Sequence, residues 1–257
     1  MLVIIILFGL VTGSFLNVCI DRLPRKQSII TPRSHCEECN KQLRLLDNIP
    51  IISYLWLHGR CRYCGARIPL RIPIVEATTG IVFGFLYWHF GFGFEFVAVL
   101  IYSAILIVVF VIDLEHLLVL DKIIYPSMVL ALIFSIFRTE IGGLLPFFSE
   151  YGIVSALSGG ILGLAFMSVP YILYRRGMGA GDLKLAALTG FMTGFPLVII
   201  AILISWIMGG IVASILLVFK IKGRKDAMPA AIFLSTSTMI VLVWGQPIWQ
   251  FLLPNSI

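Results

Sequence analysis

Asp113 follows the apolar run Phe96–Ile112, and Asp182 closes the stretch Gly177-Met178-Gly179-Ala180-Gly181-Asp182 shortly after the apolar run Ile153–Tyr174. An acid at the margin of an apolar span is costly to keep ionised and marks a candidate site. Two carboxylates held close together do not both ionise cheaply, so one holds a proton while the other acts as base. That pair can activate water for attack on a peptide carbonyl, as in aspartic proteases. The glycines beside Asp182, Gly179 and Gly181 among them, permit unusual backbone angles and close approach of another chain segment. The bland alternative is that each aspartate caps a helix or pairs with a basic neighbour, with Lys184 near Asp182. Asp121 is a rival to Asp113. It either caps the helix that follows or supports the site. Glu115 and His116 read as solvated loop residues. Glu76 opens an apolar span, where an acid is expensive, and Arg71 is a candidate partner for it.

A second constellation is Cys36-Glu-Glu-Cys39 with Cys61-Arg-Tyr-Cys64, spaced C-x2-C-x21-C-x2-C. Two such pairs suit one tetrahedral Zn²⁺ bound by four thiolates. Two redox-active or disulfide-bonded pairs are the alternative, disfavoured if the segment faces the cytoplasm. His35 and His58 lie near the ligands without needing to join them. Cys19 reads as a small packing residue. Arg60 and Arg62 read as solvated positive charge.

The elements that must position these residues are apolar. Of the 257 residues, 60% are hydrophobic and 12% charged, against about 45–50% and about 25% in soluble domains. The expected fold class is an all-α polytopic membrane protein. Runs near the length needed to cross about 30 Å of hydrocarbon fall at 2–20, 73–91, 94–112, 122–138, 152–174, 183–196, 197–219 and 229–252. The expected organisation is a first span (1–20), a small zinc-stapled cytoplasmic loop domain (21–72) between spans 1 and 2, and a seven-span membrane domain (73–257). The loop is too short to build a self-sufficient core, and a metal would staple it.

Ten Lys and Arg residues fall in Asp21–Arg71, and Lys122, Arg175, Arg176, Lys184, Lys220, Lys222, Arg224 and Lys225 flank later spans. Eight crossings with the N-terminus outside gather all of these on one face and leave Arg138 on the other. The positive-inside rule makes that face cytoplasmic and brings Asp113 and Asp182 to it at similar depth. The net charge of +6 thus has a membrane explanation, and no nucleic-acid partner is expected. The N-terminus lacks the basic start of a cleaved signal peptide and reads as a retained span.

These residues together resemble the bacterial type IV prepilin peptidases, GxGD-type aspartyl proteases that also N-methylate their products. The resemblance is carried by Gly13-Ser-Phe-Leu-Asn-Val with Arg22-Leu-Pro, the double CxxC, Asn48-Ile-Pro with Ser53-Tyr, Gly59-Arg-Cys-Arg and Pro73-Ile-Val-Glu76. It continues through Ile112-Asp113 with Asp121 eight residues on, and Gly177-Met-Gly-Ala-Gly-Asp-Leu-Lys184. It covers residues 10 to about 190. Ile72 stands where the family usually has Tyr, and Val119-Leu120 where it usually has Leu-Pro. The resemblance implies eight spans, Asp113 and Asp182 as catalytic residues, and prepilin and pseudopilin precursors as substrates. It also implies a bacterial inner-membrane location with cleavage at the cytoplasmic face, S-adenosyl-L-methionine as methyl donor, and the cysteine loop as the part tied to methyl transfer. Two competitors stand beside this reading. One is a peptidase whose zinc loop is only structural. The other is a transporter or assembly scaffold using the aspartates as a cation site, for which the paired broken spans of inverted repeats are missing.

Overall fold

The structure, a computed structural model, describes residues 1–140, 152–173, 179–220 and 229–252. Gly177 and the basic flanks Arg175, Arg176, Lys222, Arg224 and Lys225 lie outside them. Among the described residues the secondary structure is helical, with two isolated bridges in the cysteine loop. In chain order the helices are α1 (Leu2–Arg22), a 3-10 turn (Leu45–Asn48), α2 (Ile52–Trp56), α3 (Arg71–Phe90), α4 (Phe94–His116) and α5 (Asp121–Glu140). Then come α6 (Gly152–Leu173), α7 (Ala180–Thr193), α8 (Leu197–Val218) and α9 (Ala230–Leu252). Over its described residues each apolar run read as a span is mostly helical, the run at 183–196 only as far as Thr193. Five of these helices, α1, α4, α6, α8 and α9, are long and apolar enough by length and composition to cross a membrane. α7 has only 14 residues.

The chain divides into two compact units, Met1–Val108 and Val109–Ile257. In the first, α1 packs along α3 at small residues. A Cβ on Gly9 would lie 2.8 Å from the Gly80 Cα, and one on Gly13 would lie 2.7 Å from the Glu76 Cα. Gly9 and Gly13 are four apart, as are Gly80 and Gly84. Apolar helices associate closely through such small-residue spacing when lipid supplies no hydrophobic drive. Asn17 on α1 donates from Nδ2 to the Ile72 carbonyl at 3.1 Å, and Arg71 forms an ion pair with Asp21, closing the base of the loop.

In the second unit the short α7 is the central element. Leu185 to Gly190 are all buried, and α6 lies against α7 backbone to backbone. A Cβ on Gly159 would sit 2.5 Å from the Gly190 carbonyl oxygen. The Thr189 hydroxyl meets the Thr238 hydroxyl of α9 at 2.9 Å, both side chains being buried. α4 runs four residues past the expected end at Ile112. It stops where Leu117 takes φ 53° and donates its N–H to the Asp113 carbonyl at 3.0 Å, a left-handed helix terminus. Glu115 and His116 are therefore exposed residues of the last helical turn rather than of a loop.

Candidate functional site

Asp113 sits one turn from the end of α4, is only 4% exposed, and accepts a hydrogen bond at Oδ2 from the Ile232 N–H at 3.2 Å. The Ala231 N–H is a second donor to the same carboxylate. Both belong to the first turn of α9, where backbone N–H groups have no partner within the helix. Pro229, directly before Ala230, is compatible with a helix start because it lacks an N–H.

Asp182 lies in the first turn of α7, half-buried, and accepts the Gly179 N–H at Oδ2, 3.2 Å away. The helix starts at Ala180, not at residue 183, so Asp182 is the third helical residue and Gly179 holds the cap position. The alternative of Asp182 as the cap itself is thereby overturned. The charge of Asp113 acts on Asp182. Although 69 residues apart in sequence, the two carboxylates lie in each other's field.

The structure pairs Lys184 with Asp121 rather than with Asp182. Lys184 Nζ is 2.7 Å from Asp121 Oδ1 and 5.3 Å from the centre of the Tyr125 ring. Asp121, the first residue of α5, thereby ties that helix to the start of α7 beside the aspartate pair. Gly179 has φ −76°, an ordinary angle, so the expected special backbone there is not used. Close approach is used at Gly181, where a Cβ would lie 2.6 Å from the Val119 Cβ of the α4–α5 link. The chain's own link occupies this face of the glycine stretch.

The cysteine loop in the first unit is built from two matching turns. The Cys36 N–H donates to the Lys41 carbonyl (3.0 Å) and the Asn40 N–H to the Cys36 carbonyl (2.9 Å). Cys61 with Ala66 (2.8 Å) and Gly65 with Cys61 (2.9 Å) repeat the pattern. Asn40 and Gly65 adopt φ 53° and 72°, the left-handed angles that Asn and Gly adopt most readily. The four sulfurs lie within 4.8 Å of one another, with Cys36 and Cys64 Sγ 3.8 Å apart. A tetrahedral zinc–thiolate site with bonds of about 2.3 Å requires sulfur separations of about 3.8 Å, so the donor set fits that ion. The N–H groups of Tyr63 and Cys64 favour the Cys61 thiolate, whose thiol falls to about 7, while hydrogen bonds to the other three sulfurs keep the proton on Cys64, pushed up to about 12. All five cysteines are free, and Cys19 is buried in α1 away from the cluster.

Arg62 is not simply solvated. Its guanidinium binds the buried Asp47 at 2.8 Å, bracing the second turn against the 3-10 turn. Glu76, 4% exposed on α3, accepts the Ile51 N–H at 2.8 Å. Ile51 has φ 61°, uncommon for a branched side chain, and the buried carboxylate helps hold that turn.

Sequence reasoning missed the α9 donors to Asp113, because every non-proline residue carries an N–H. It also missed Tyr125 and the Thr189–Thr238 bond, which have no motif. The repeated four-residue spacing of Gly9, Gly13, Gly80 and Gly84 was a readable signal for the α1–α3 pair.

Residues 7–90 match the family described as bacterial peptidase A24 N-terminal domain, and residues 100–214 match the type IV leader peptidase family. The chain is 33% identical over 269 residues to a prepilin leader peptidase/N-methyltransferase of Pseudomonas aeruginosa, covering 95% of this chain and 90% of that protein. It is 30% identical over 258 residues to a protein of the same name from Bacillus subtilis, covering 98% and 97%. A third relative of that name, from Stutzerimonas stutzeri, is 31% identical over 271 residues, covering 95% and 90%. No solved structure matches. With relatives at this identity aligned over nearly the whole chain, and with both of its halves matched, the protein belongs to the type IV leader peptidase family, a family of proteases.

Proposed function

We propose that the protein is an integral-membrane aspartic endopeptidase that removes the basic leader from prepilin-like precursors and methylates the new N-terminus. The observation that carries this reading is the placement of the buried Asp113 in the field of Asp182, within the segment that matches the leader peptidase family. The names of the relatives support the substrate class and the second activity.

In the proposed mechanism one ionised carboxylate of the pair takes a proton from water as the oxygen attacks the scissile carbonyl. The protonated partner hydrogen-bonds the carbonyl oxygen and then gives its proton to the leaving amine as the C–N bond breaks. Asp113 and Asp182 are the two catalytic residues. Asp121, Lys184, Gly179 and Gly181 support them by fixing the first turn of α7 and its contact with the α4–α5 link.

All eight helices that carry the apolar runs cross the bacterial inner membrane in this reading, including α3, α5 and the 14-residue α7. The basic loops face the cytoplasm and both aspartates lie at that face. A first span (1–20), a cytoplasmic domain (21–72) and a seven-span peptidase domain (73–257) follow from that topology. A precursor with a basic leader and an apolar helix would lie in the bilayer with its scissile bond at the depth of the pair. Cys36, Cys39, Cys61 and Cys64 would hold one zinc ion, which supplies a structural cross-link to a loop without a core of its own. S-adenosyl-L-methionine would supply the methyl group.

The test is cleavage of a prepilin-type precursor by the purified full chain in detergent, with methyl donor present, read by mass. Wild type is compared with Asp113→Asn and Asp182→Asn. Loss of the leader in wild type alone is expected, with one added methyl on the product. A product without the methyl would restrict the reading to a peptidase, and an intact precursor in all lanes would return it to docking or transport.

A further inference from the structure

We infer that α9, which lies beyond both segments matched by the family models, is a positioning element of the aspartate pair. In this inference its first turn orients Asp113 and its middle sets the register of the helix that carries Asp182. The inference rests on the proposed peptidase reading.

Two independent observations meet on this helix. At its start, Ala231 and Ile232 direct backbone N–H groups at the Asp113 carboxylate. Two more turns along, Thr238 meets Thr189 of α7. The Thr238 hydroxyl donates to its own helix at the Leu234 carbonyl (2.6 Å), so the proton in the Thr189–Thr238 bond comes from Thr189. Thr238 is 0% and Thr189 1% exposed, and a hydroxyl buried that deeply is costly to leave without a partner.

The register is closed on both sides. From Ile232 to Thr238 is six residues, about 9 Å of helix, and from Asp182 to Thr189 is seven residues, about 10.5 Å. Both helices begin at the aspartates and run inward by similar distances to the hydroxyl pair. A slip of one helix along the other would have to break either the Thr189–Thr238 bond or the grip on Asp113. Catalysis by paired groups is sensitive to such slips, since a displacement of about 1 Å can cost about 100-fold.

The α9 donors are backbone groups, so the direct test replaces the 231–232 amide by an ester, using the α-hydroxy acid analogue of isoleucine at position 232. This removes the N–H and leaves the side chain. The full-length protein is assayed on a prepilin-type precursor for kcat and KM separately, beside Thr238→Val, Thr238→Ser and Asp113→Asn. We expect the ester to lower kcat about tenfold, as loss of roughly 1.4 kcal/mol of orientation would, with KM within about twofold of wild type. Thr238→Val lowers kcat in the same pattern, and Thr238→Ser, which keeps the hydroxyl, restores it. Wild-type kcat in the ester protein overturns the inference, as does equal impairment of the Val and Ser variants, which would mean packing alone. Full cleavage by Asp113→Asn would instead overturn the peptidase reading beneath it.

Discussion

The cysteine cluster and the aspartate pair are assembled in opposite ways. The four thiols come from two short turns of one loop, each closed by its own backbone hydrogen bonds. Their geometry depends on Cys-x-x-Cys spacing and on Asn40 and Gly65 taking left-handed angles, all local properties. The aspartates stand 69 residues apart, near the ends of two different helices, and are held by contacts that neither helix makes alone. α6 packs on α7 at Gly159 and Gly190, Val119 packs on Gly181, and α9 grips Asp113. A metal site can be written into a loop, whereas a carboxylate pair in a helical bundle is a property of the packing.

Five substitutions would break or sharpen that contrast. The largest effect is expected for Asp113→Asn and Asp182→Asn. Either should lower cleavage by about 1,000-fold or more, the scale of losing a paired general acid–base group. Native mass spectrometry should still find the metal bound to the cysteine loop. Loss of metal in these variants would show that the two sites are not separately built.

Next is Gly190→Ala, which drives a methyl into the α6 backbone where no side chain can yield. A destabilisation of about 3 kcal/mol, at the upper end of overpacking, should appear as a lower thermal midpoint and reduced cleavage, again with metal retained. An unchanged midpoint would mean that α6 moves away at little cost.

Cys64→Ser should act in the reverse sense. Metal content should fall from one ion per chain to none, and limited proteolysis should cut between residues 21 and 71 about tenfold faster. A loop that depends on a metal loses order without it. The thermal midpoint reported by the second unit should move little. If proteolysis is unchanged, the Asp47–Arg62 and Glu76–Ile51 contacts suffice to hold the loop.

The smallest effect belongs to Asp121→Asn. Its ion pair with Lys184 is largely exposed, and such pairs contribute about 0–1 kcal/mol. Cleavage should fall by no more than about threefold, and a loss beyond tenfold would promote Asp121 from support to participation.

Much of this was legible in the residues. Long apolar runs place the helices because burying or lipid-solvating their side chains leaves the backbone no better choice than to bond itself. The boundaries were less legible. α4 continues to His116 and α7 begins at Ala180 because a left-handed residue at Leu117 and a glycine cap at Gly179 decide those ends. Hydrophobicity does not register such features. The alternative that paired Lys184 with Asp182 fails for a related reason. Sequence proximity favoured Asp182, two positions away, but residues two apart on a helix point to different sides, and α5 brought Asp121 within reach.

What the sequence determined by itself is chemistry of short range: the thiol tetrad and its turns, the apolar segments, and the placement of two acids where charge is expensive. What only the tertiary structure decided is which backbone groups and neighbouring helices hold each of those acids in place. Backbone N–H groups, hydroxyl pairs and glycine contacts act through distance in space. None has a residue code, because each depends on two segments that the chain order keeps apart.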